Sequence, residues 1–158
     1  MRTNTTMTTS GALYRLLSWM SPNFPVGAFA YSHGLEYAVE TGKVTDRHML
    51  ADWIETVLLI GSGRVDGVLF REAHEATENS DWRALNEIAE LGAALQPTSE
   101  IALESRSQGA AFLTAARNAW PMPAMEHVTH DIVYPVAVGL ACAAHGIELP
   151  DGLGAYFH

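Results

Sequence analysis

The sequence has little charge and almost no cysteine. Only 17% of its 158 residues are charged, against about 25% in an average protein. The single cysteine, Cys142, excludes an intrachain disulfide framework and is typical of a reducing compartment. Acidic residues outnumber basic ones by 18 to 9 and no basic run occurs, so binding to nucleic acid has little support. So low a charge favours either a partner-covered surface or an alanine-rich helical domain.

Long hydrophobic segments are also missing. The longest uncharged apolar run, residues 132–144, contains Pro135 and is shorter than the roughly 20 residues that a membrane helix needs. Residues 1–10 are polar and lack the apolar core of a signal peptide. We therefore expect a cytoplasmic protein without membrane contact. Residues 1–10 are expected to form a disordered tail, and residues 11–158 one domain.

Apolar residues recur with helical spacing along most of the chain. The clearest helix repeats apolar pairs every four residues from Met49 to Leu58. A second helix, from about residue 132 to 144, is apolar nearly all round, which predicts a central element. No segment alternates with the period of a strand. The sequence therefore predicts an all-α, single-domain helical bundle of about seven or eight helices.

The same spacing predicts helix starts and buried faces. The predicted N-caps are Thr45 or Asp46 and Thr98 or Ser99, and Asn79-Ser80 is predicted to form both a turn and an N-cap. Leu13, Leu16, Leu17 and Met20 have the spacing of the apolar face of an amphipathic first helix. The helix after Asp81 is predicted to bury Trp82, Leu85, Ile88, Ala89 and Leu95. The helix that ends near Asn118 is predicted to have a small and polar inner face, made of Ser105, Gln108, Gly109, Ala111 and Ala115. A further helix is expected to start at residues 149–151.

Residues 21–36 combine two prolines, two glycines and three aromatic residues. Pro22 and Pro25 fix their own φ angles and push the preceding residues toward extended geometry. Gly27 and Gly34 allow backbone conformations that other residues rarely adopt. The stretch is therefore predicted to be a structured, partly buried connection that ends by entering a helix.

A motif similar to a nucleophile elbow lies in this stretch, at residues 30–34 (Ala-Tyr-Ser-His-Gly). In hydrolases of that kind a strand precedes the serine and a parallel sheet lies beneath it. No strand is predicted here, so Ser32 is better explained as a turn or cap residue. A serine hydrolase that uses Ser32 stays the enzymatic alternative.

Other motifs of catalysis or metal binding are weak. Gly42-Lys43 is followed by Val44, where a phosphate-binding loop requires serine or threonine. His127 and His130 have the spacing of a helical metal-binding pair, but no third ligand is near in sequence. Surface histidines are the favoured interpretation, and an independent metal-binding domain is a further alternative. Taken alone, the residues favour a helical interaction protein over an enzyme.

Residues 21–36 read Ser-Pro-Asn-Phe-Pro-Val-Gly-Ala-Phe-Ala-Tyr-Ser-His-Gly-Leu-Glu. They resemble the signature of the urease accessory protein F (UreF) family, which is roughly Ser-Pro-x-Leu-Pro-Val-Gly-Ala-Phe-Ser-Tyr-Ser-x-Gly-Leu-Glu. This chain departs from it at Phe24 and Ala30. The resemblance continues, in the family's order, at residues 38–44, 98–100, 104–105, 108–109, 135–140 and 144–147.

The resemblance implies an all-helical, non-enzymatic component of nickel insertion. A family member is expected to form a homodimer that bridges the accessory D (or H) protein and the accessory GTPase G. That assembly helps nickel and the carbamylated lysine to enter apo-urease. The resemblance also implies that nickel is carried by the GTPase and the complex, so this chain is expected to bind no cofactor or metal itself.

The resemblance also implies which residues meet a partner. The residues that match the family's first motif are Pro25, Gly27, Tyr31, Ser32, Gly34 and Glu36, and Glu100 and Glu104 are secondary candidates. Proline and glycine would hold the connection rigid, and Glu36 would project from the next helix as an oriented carboxylate. Such a carboxylate accepts charge-assisted hydrogen bonds from arginine or lysine. The structural alternative is that Glu36 only complements a helix start.

Two departures from the family pattern bear on function. Ala102 stands where many members carry arginine, so any ion pair of that arginine is absent. The sequence also ends at His158, while family members continue through further helices and a tail that docks the D protein. We therefore expect a C-terminally truncated chain, and a non-functional helical interaction domain remains an alternative.

Overall fold

The computed structural model describes residues 9–27 and 34–158. Over these residues the chain forms eight α-helices and one short 3-10 helix, without a β-strand. The α-helices are α1 (Ser10–Trp19), α2 (Leu35–Glu40), α3 (Arg47–Leu59), α4 (Ser62–Glu78), α5 (Trp82–Ala94), α6 (Ser99–Ala119), α7 (Tyr134–Ala144) and α8 (Leu149–Tyr156); the 3-10 helix is Pro123–His127. The predicted all-α bundle is confirmed.

Two predicted caps begin the helices expected from them. The Asp46 carboxylate accepts hydrogen bonds from the backbone N–H groups of His48 and Met49 at 2.8 and 3.0 Å. The Thr98 hydroxyl accepts from the N–H of Ile101 at 3.3 Å. Each bond satisfies a donor that the first turn of a helix leaves unpaired.

The turn predicted at Asn79-Ser80 is confirmed, but the N-cap predicted there is wrong, because those residues follow the end of α4. Asn79 is the residue after α4, and its side-chain amide donates to the carbonyl of Glu75 at 2.8 Å. Ser80 has a φ of 55°, which turns the chain. Asp81 then caps α5, accepting from the N–H of Ala84 at 3.0 Å.

The centre of the molecule is α7. Every residue from 135 to 142 is buried, and the helix packs against α4, α5, α6 and α8. This confirms the predicted central element. The helix begins at Tyr134, two residues later than its apolar pattern, because Pro135 occupies its first turn and proline favours that position.

The first helix is held by a tryptophan. Trp19 is buried, with its ring centroid 5.7 Å from that of Phe112 and 6.0 Å from that of Trp120. The predicted helix is present, but Leu13 and Leu17 of its apolar pattern are 47% and 65% exposed. The residues of α1 that are buried are Ala12, Leu16 and Trp19, and Met20 is half-buried.

The helix with the clearest sequence pattern, α3, buries none of its residues. Its main packing partner is α4, and it ends beside exposed apolar side chains, Leu59 at 59% and Ile60 at 80%. Helical periodicity therefore predicted the helix correctly while its apolar residues stay largely outside the core of this chain.

The buried faces of α5 and α6 agree with prediction in part. Leu95 is 47% exposed, so its predicted burial is wrong. In α5, Leu85 and Ala89 are buried as predicted, while Trp82 and Ile88 are half-buried. In α6, Gln108 and Gly109 are buried as predicted, Ser105, Ala111 and Ala115 are half-buried, and the buried face also includes Phe112, Leu113 and Ala116.

The two ends of the chain differ in how far they are described. Residues 1–8 lie outside the described part, so for them the predicted tail stays a prediction, whereas Thr9 caps α1 and Ser10 begins it. At the other end, the helix predicted to start at residues 149–151 is present as α8. No helix among the described residues is long and apolar enough to cross a membrane.

Candidate functional site

The predicted connection is described up to Gly27 and again from Gly34. Phe24 anchors its first half, since its ring centroid lies 5.5 Å from that of Phe112 in α6. Pro25 is exposed, and Gly27 has a φ of 75°, in the left-handed region that favours glycine. The described first half is thus structured and partly buried, as predicted.

Tyr31 and Ser32 lie outside the described residues. Their predicted contacts with a partner stay predictions. The hydrolase alternative also depends on Ser32, and the described residues on either side form no strand of the kind that a nucleophile elbow requires.

Glu36 lies in the first turn of α2. Gly34, the residue before the helix, has a φ of 77°. An added Cβ there would lie 3.8 Å from the Trp53 side chain, so the start of α2 rests beside α3. Glu36 falls in the first turn and is exposed. Within the described part of the chain, no cation pairs with its carboxylate.

The surroundings of Glu36 are partly apolar. Tyr37 and Val39 follow it on α2 and are both more than half exposed, while Ala38 between them is fully buried. The ammonium group of Lys43 lies 5.6 Å from the centroid of the Tyr37 ring. An exposed carboxylate beside an aromatic and an aliphatic side chain is suited to a protein partner that offers a cation within an apolar patch.

Glu100 belongs to the start of α6. It accepts hydrogen bonds from its own backbone N–H and from the hydroxyls of Thr98 and Ser99, and these bonds lower the pKa of its carboxyl. The position in the first turn also suits a negative charge. For Glu100 the structure therefore favours a capping role.

Glu104, one turn further along α6, faces a cleft of about 520 Å³ bounded by α3, α4, α6 and α8. Its Oε1 accepts a hydrogen bond from the amide of Gln108 at 3.0 Å. Nearby, the hydroxyl of Ser105 accepts from the N–H of Tyr134 at 3.2 Å. Glu104 and Ser105 are thus tied to neighbouring backbone and side chains at the edge of the cleft.

Two phenol groups line the same cleft. The hydroxyl of Tyr156 donates to the Asp66 carboxylate at 3.1 Å. Burial raises the pKa of Tyr134 to about 12, and burial, with the charge of Asp66, raises the pKa of Tyr156 well above its usual range. Both phenols are therefore neutral hydrogen-bond donors near neutral pH.

Sequence reasoning missed these tyrosines and Asp66. A signal was present, because a tyrosine in an otherwise apolar helix needs a partner for its hydroxyl when it is buried. The partner of Tyr156 lies 90 residues away, so the pattern could not identify it. Glu36 is on α2, while Glu100 and Glu104 are on α6, and of these three only Glu104 lines the cleft.

The two histidines considered as metal ligands make other contacts. The His127 ring stacks on that of Trp82 at a centroid distance of 4.3 Å. His130 Nε2 lies 3.0 Å from the Glu90 carboxylate. Among residues 9–27 and 34–158, no group of three histidine, cysteine, aspartate or glutamate side chains could hold a metal ion.

Comparison with known proteins identifies the family. The family model described as UreF matches residues 44–158. A urease accessory protein UreF of Magnetococcus marinus is 47% identical over 156 residues, which cover 96% of this chain and 68% of that protein. The chain belongs to the UreF family.

Other UreF proteins agree with this assignment. One from Bradyrhizobium sp. (strain BTAi1) is 49% identical over 93% of this chain, and one from Rhodopseudomonas palustris (strain BisB5) is 46% identical over 94%. Each alignment leaves out less than a tenth of the chain, so each reaches residues 21–36. The chain spans 62% and 63% of the lengths of these two relatives.

Proposed function

We propose that this chain acts in urease maturation as the component that bridges the accessory D (or H) protein and the accessory GTPase G, so that nickel reaches apo-urease. The proposal rests on membership of the UreF family. It gives the chain no catalytic step and no nickel of its own, since the metal is cargo that the GTPase and the assembled complex carry. The acting form is a homodimer in the cytoplasm.

One observation carries the proposed contact with a partner: Glu36 is an exposed carboxylate on the first turn of a helix whose start is fixed by Gly34. The far end of α2 is fixed as well. The carbonyl of Ala38 accepts from the N–H groups of Lys43 and Val44, at 2.8 and 3.1 Å. A short helix whose two ends are both fixed loses little conformational entropy when a partner binds, and this favours association.

Glu36 would therefore accept hydrogen bonds from an arginine or lysine of the partner. The exposed Tyr37 and Val39 would be covered in the same contact and would exclude water from the ion pair. Hydrogen bonds to charged groups contribute about 1.5–3 kcal/mol. Pro25 and Gly27 would keep the backbone that leads to α2 rigid. Glu104, beside the cleft, would make a second contact with the partner.

Size-exclusion chromatography of purified components tests the proposal. The chain is mixed with the accessory D protein and the GTPase, and co-elution of the three is expected, with the chain alone eluting as a dimer. Glu36→Gln is expected to weaken the complex at least tenfold. The matched control Glu55→Gln, an exposed glutamate on α3, is expected to leave it unchanged. Absence of co-elution, or equal effects of the two substitutions, contradicts the proposed role.

A further inference from the structure

A groove lies along α6 on a side that does not include Glu100 or Glu104. It has a volume of about 370 Å³, with one wall formed by three turns of α6 and the other by the segment from Met125 to Ile132 that leads to α7. Leu113 and Ile132 are buried at its base, and Met125 is half-buried. The floor of the groove is therefore apolar.

An arginine stands toward each end of the α6 wall. Arg106 and Arg117 both line the groove and both are exposed. They are eleven residues apart, which places their Cα atoms about 16 Å apart along a helix. Arg106 donates to the backbone carbonyl of Ala102 at 3.2 Å. Within the described residues neither guanidinium pairs with a carboxylate, whereas Arg71 and Arg83 do.

The opposite wall is held in place by α5. The Asn86 side chain donates to the carbonyl of His127 at 2.9 Å and accepts from both the N–H and the hydroxyl of Thr129, at 2.9 and 2.8 Å. Stacking of His127 on Trp82 supports the same segment. Because these contacts fix the wall before any ligand binds, the groove is preorganised.

The charge of the groove opposes that of the whole chain. Its lining includes two arginines and one carboxylate, Asp131, in a chain whose net charge is −9. The remaining titratable group, His130, is paired with Glu90. An apolar floor between two unpaired cations fits a ligand with an apolar centre and negative charge at both ends. The lining of the groove contains no phenylalanine, tyrosine or tryptophan on which a nucleic-acid base could stack.

We propose that this groove binds an acidic, extended peptide segment of a partner protein, with one apolar side chain on the floor and a carboxylate against each arginine. In an extended peptide, residues i, i+2 and i+4 face the same side, and they span about 13 Å. Glutamate side chains at the two outer positions cover the remaining distance. The proposal does not depend on the partners proposed for Glu36, because the groove and α2 share no residue.

Fluorescence anisotropy with a labelled peptide, Glu-Ala-Leu-Ala-Glu with blocked ends, tests this on the full chain. Saturable binding is expected. The double substitution Arg106→Gln and Arg117→Gln is expected to weaken it at least tenfold. The control pair Arg47→Gln and Arg64→Gln removes the same charge from exposed positions outside the groove and is expected to change the affinity less than twofold.

A substitution that keeps the charge tests the groove itself. Ala110 is exposed on the α6 wall, so Ala110→Phe fills the groove and is expected to weaken peptide binding at least fivefold. A peptide with glutamine in place of both glutamates is expected not to bind.

Three results overturn the proposal. The first is no saturable binding at millimolar peptide. The second is equal loss in the groove pair and the control pair, which indicates nonspecific charge attraction. The third is a change from dimer to monomer in the Arg106→Gln, Arg117→Gln variant, with no such change when the peptide is added to the wild-type dimer. That result would mean that the groove binds a second copy of the chain. Circular dichroism confirms that each variant is folded.

Discussion

Gly139 of α7 lies directly against the backbone of Phe70 in α4. A Cβ atom added to Gly139 would collide with the carbonyl group of Phe70. The two helices form the most extensive helix pair of the bundle. Because the clash is with backbone rather than with the end of a flexible side chain, the helices would have to separate to accommodate it.

Gly139→Ala is therefore expected to destabilise the fold, by about 1–3 kcal/mol as for other overpacked cores. The matched control is Gly154→Ala in α8, where an added Cβ has no atom within 4 Å. That change is expected to be neutral or to stabilise by about 0.5–1 kcal/mol, since alanine favours helix. Urea denaturation followed by circular dichroism measures both. Equal stabilities of the two variants would mean that the α4–α7 contact is looser than described.

The helices themselves could be predicted because their signals are local. Asp46 and Thr98 cap the helices that follow them, and apolar spacing marks α3 and α7. The buried faces depend on contacts distant in sequence, and the same spacing could not decide them. In α1 the face that carries Trp19 is buried because the Trp19 ring packs against Phe112 and Trp120. Leu17, on another face of α1, is exposed.

For the candidate site, too, only the features with a local sequence signal could be predicted. The motif singled out Gly34 and Glu36, and the structure shows a left-handed backbone at Gly34 and an exposed Glu36; their contact with a partner stays a prediction. The groove between Arg106 and Arg117 was not predicted. Their spacing on one helix face is visible in the sequence, but the second wall is an irregular segment whose position is set by Asn86 of α5.

The left-handed backbone at Gly34 gives a test of how strongly α2 orients Glu36. An added Cβ would meet Trp53 only at an ordinary distance of 3.8 Å, so the cost of Gly34→Ala is that of the backbone conformation, about 1–2 kcal/mol. Gly34→Asn is the comparison, because asparagine tolerates this conformation better. If the chain binds the GTPase and D protein as proposed, alanine is expected to weaken that binding more than asparagine does, as measured by co-elution. The same effect from both would show that the orientation of α2 does not matter for binding.

The carboxylate of Glu100 predicts a pH dependence of α6. Its pKa is lowered in the folded chain by hydrogen bonds from its own N–H and from the hydroxyls of Thr98 and Ser99. A lowered folded pKa means that the stabilisation is present above the pKa of the unfolded chain and is lost as pH falls through the folded value. Glu100→Gln is therefore expected to lower the thermal midpoint at pH 7 and to make little difference at pH 3.

The control for Glu100 is Glu55→Gln, which removes an exposed carboxylate from α3. Its effect on the midpoint is expected to be small at both pH values. Thermal unfolding of the three proteins across pH 3–7 gives the comparison. A difference between wild type and Glu100→Gln that stays constant with pH would show that the hydrogen bonds do not favour the ionised carboxyl.

The reactivity of the Cys142 thiol measures how often α8 detaches from the core. Burial raises the pKa of its thiol to about 12, and the thiolate is the form that reacts. Gly152 of α8 covers the sulfur, since an added Cβ there would lie 3.1 Å from Sγ. The native thiol is therefore expected to react slowly with Ellman's reagent at pH 8 and fully after denaturation in urea.

Tyr156→Phe is expected to make α8 detach transiently from the core more often. The substitution removes the hydrogen bond of 3.1 Å between the Tyr156 hydroxyl of α8 and the Asp66 carboxylate of α4. A typical hydrogen bond contributes about 0.5–1.5 kcal/mol, which corresponds to thiol modification roughly two- to tenfold faster when opening precedes reaction. Tyr14→Phe, at an exposed tyrosine of α1, is the matched control and is expected to leave the rate unchanged. If both variants react at the wild-type rate, the thiol is reached by an opening in which α8 remains bound to α4.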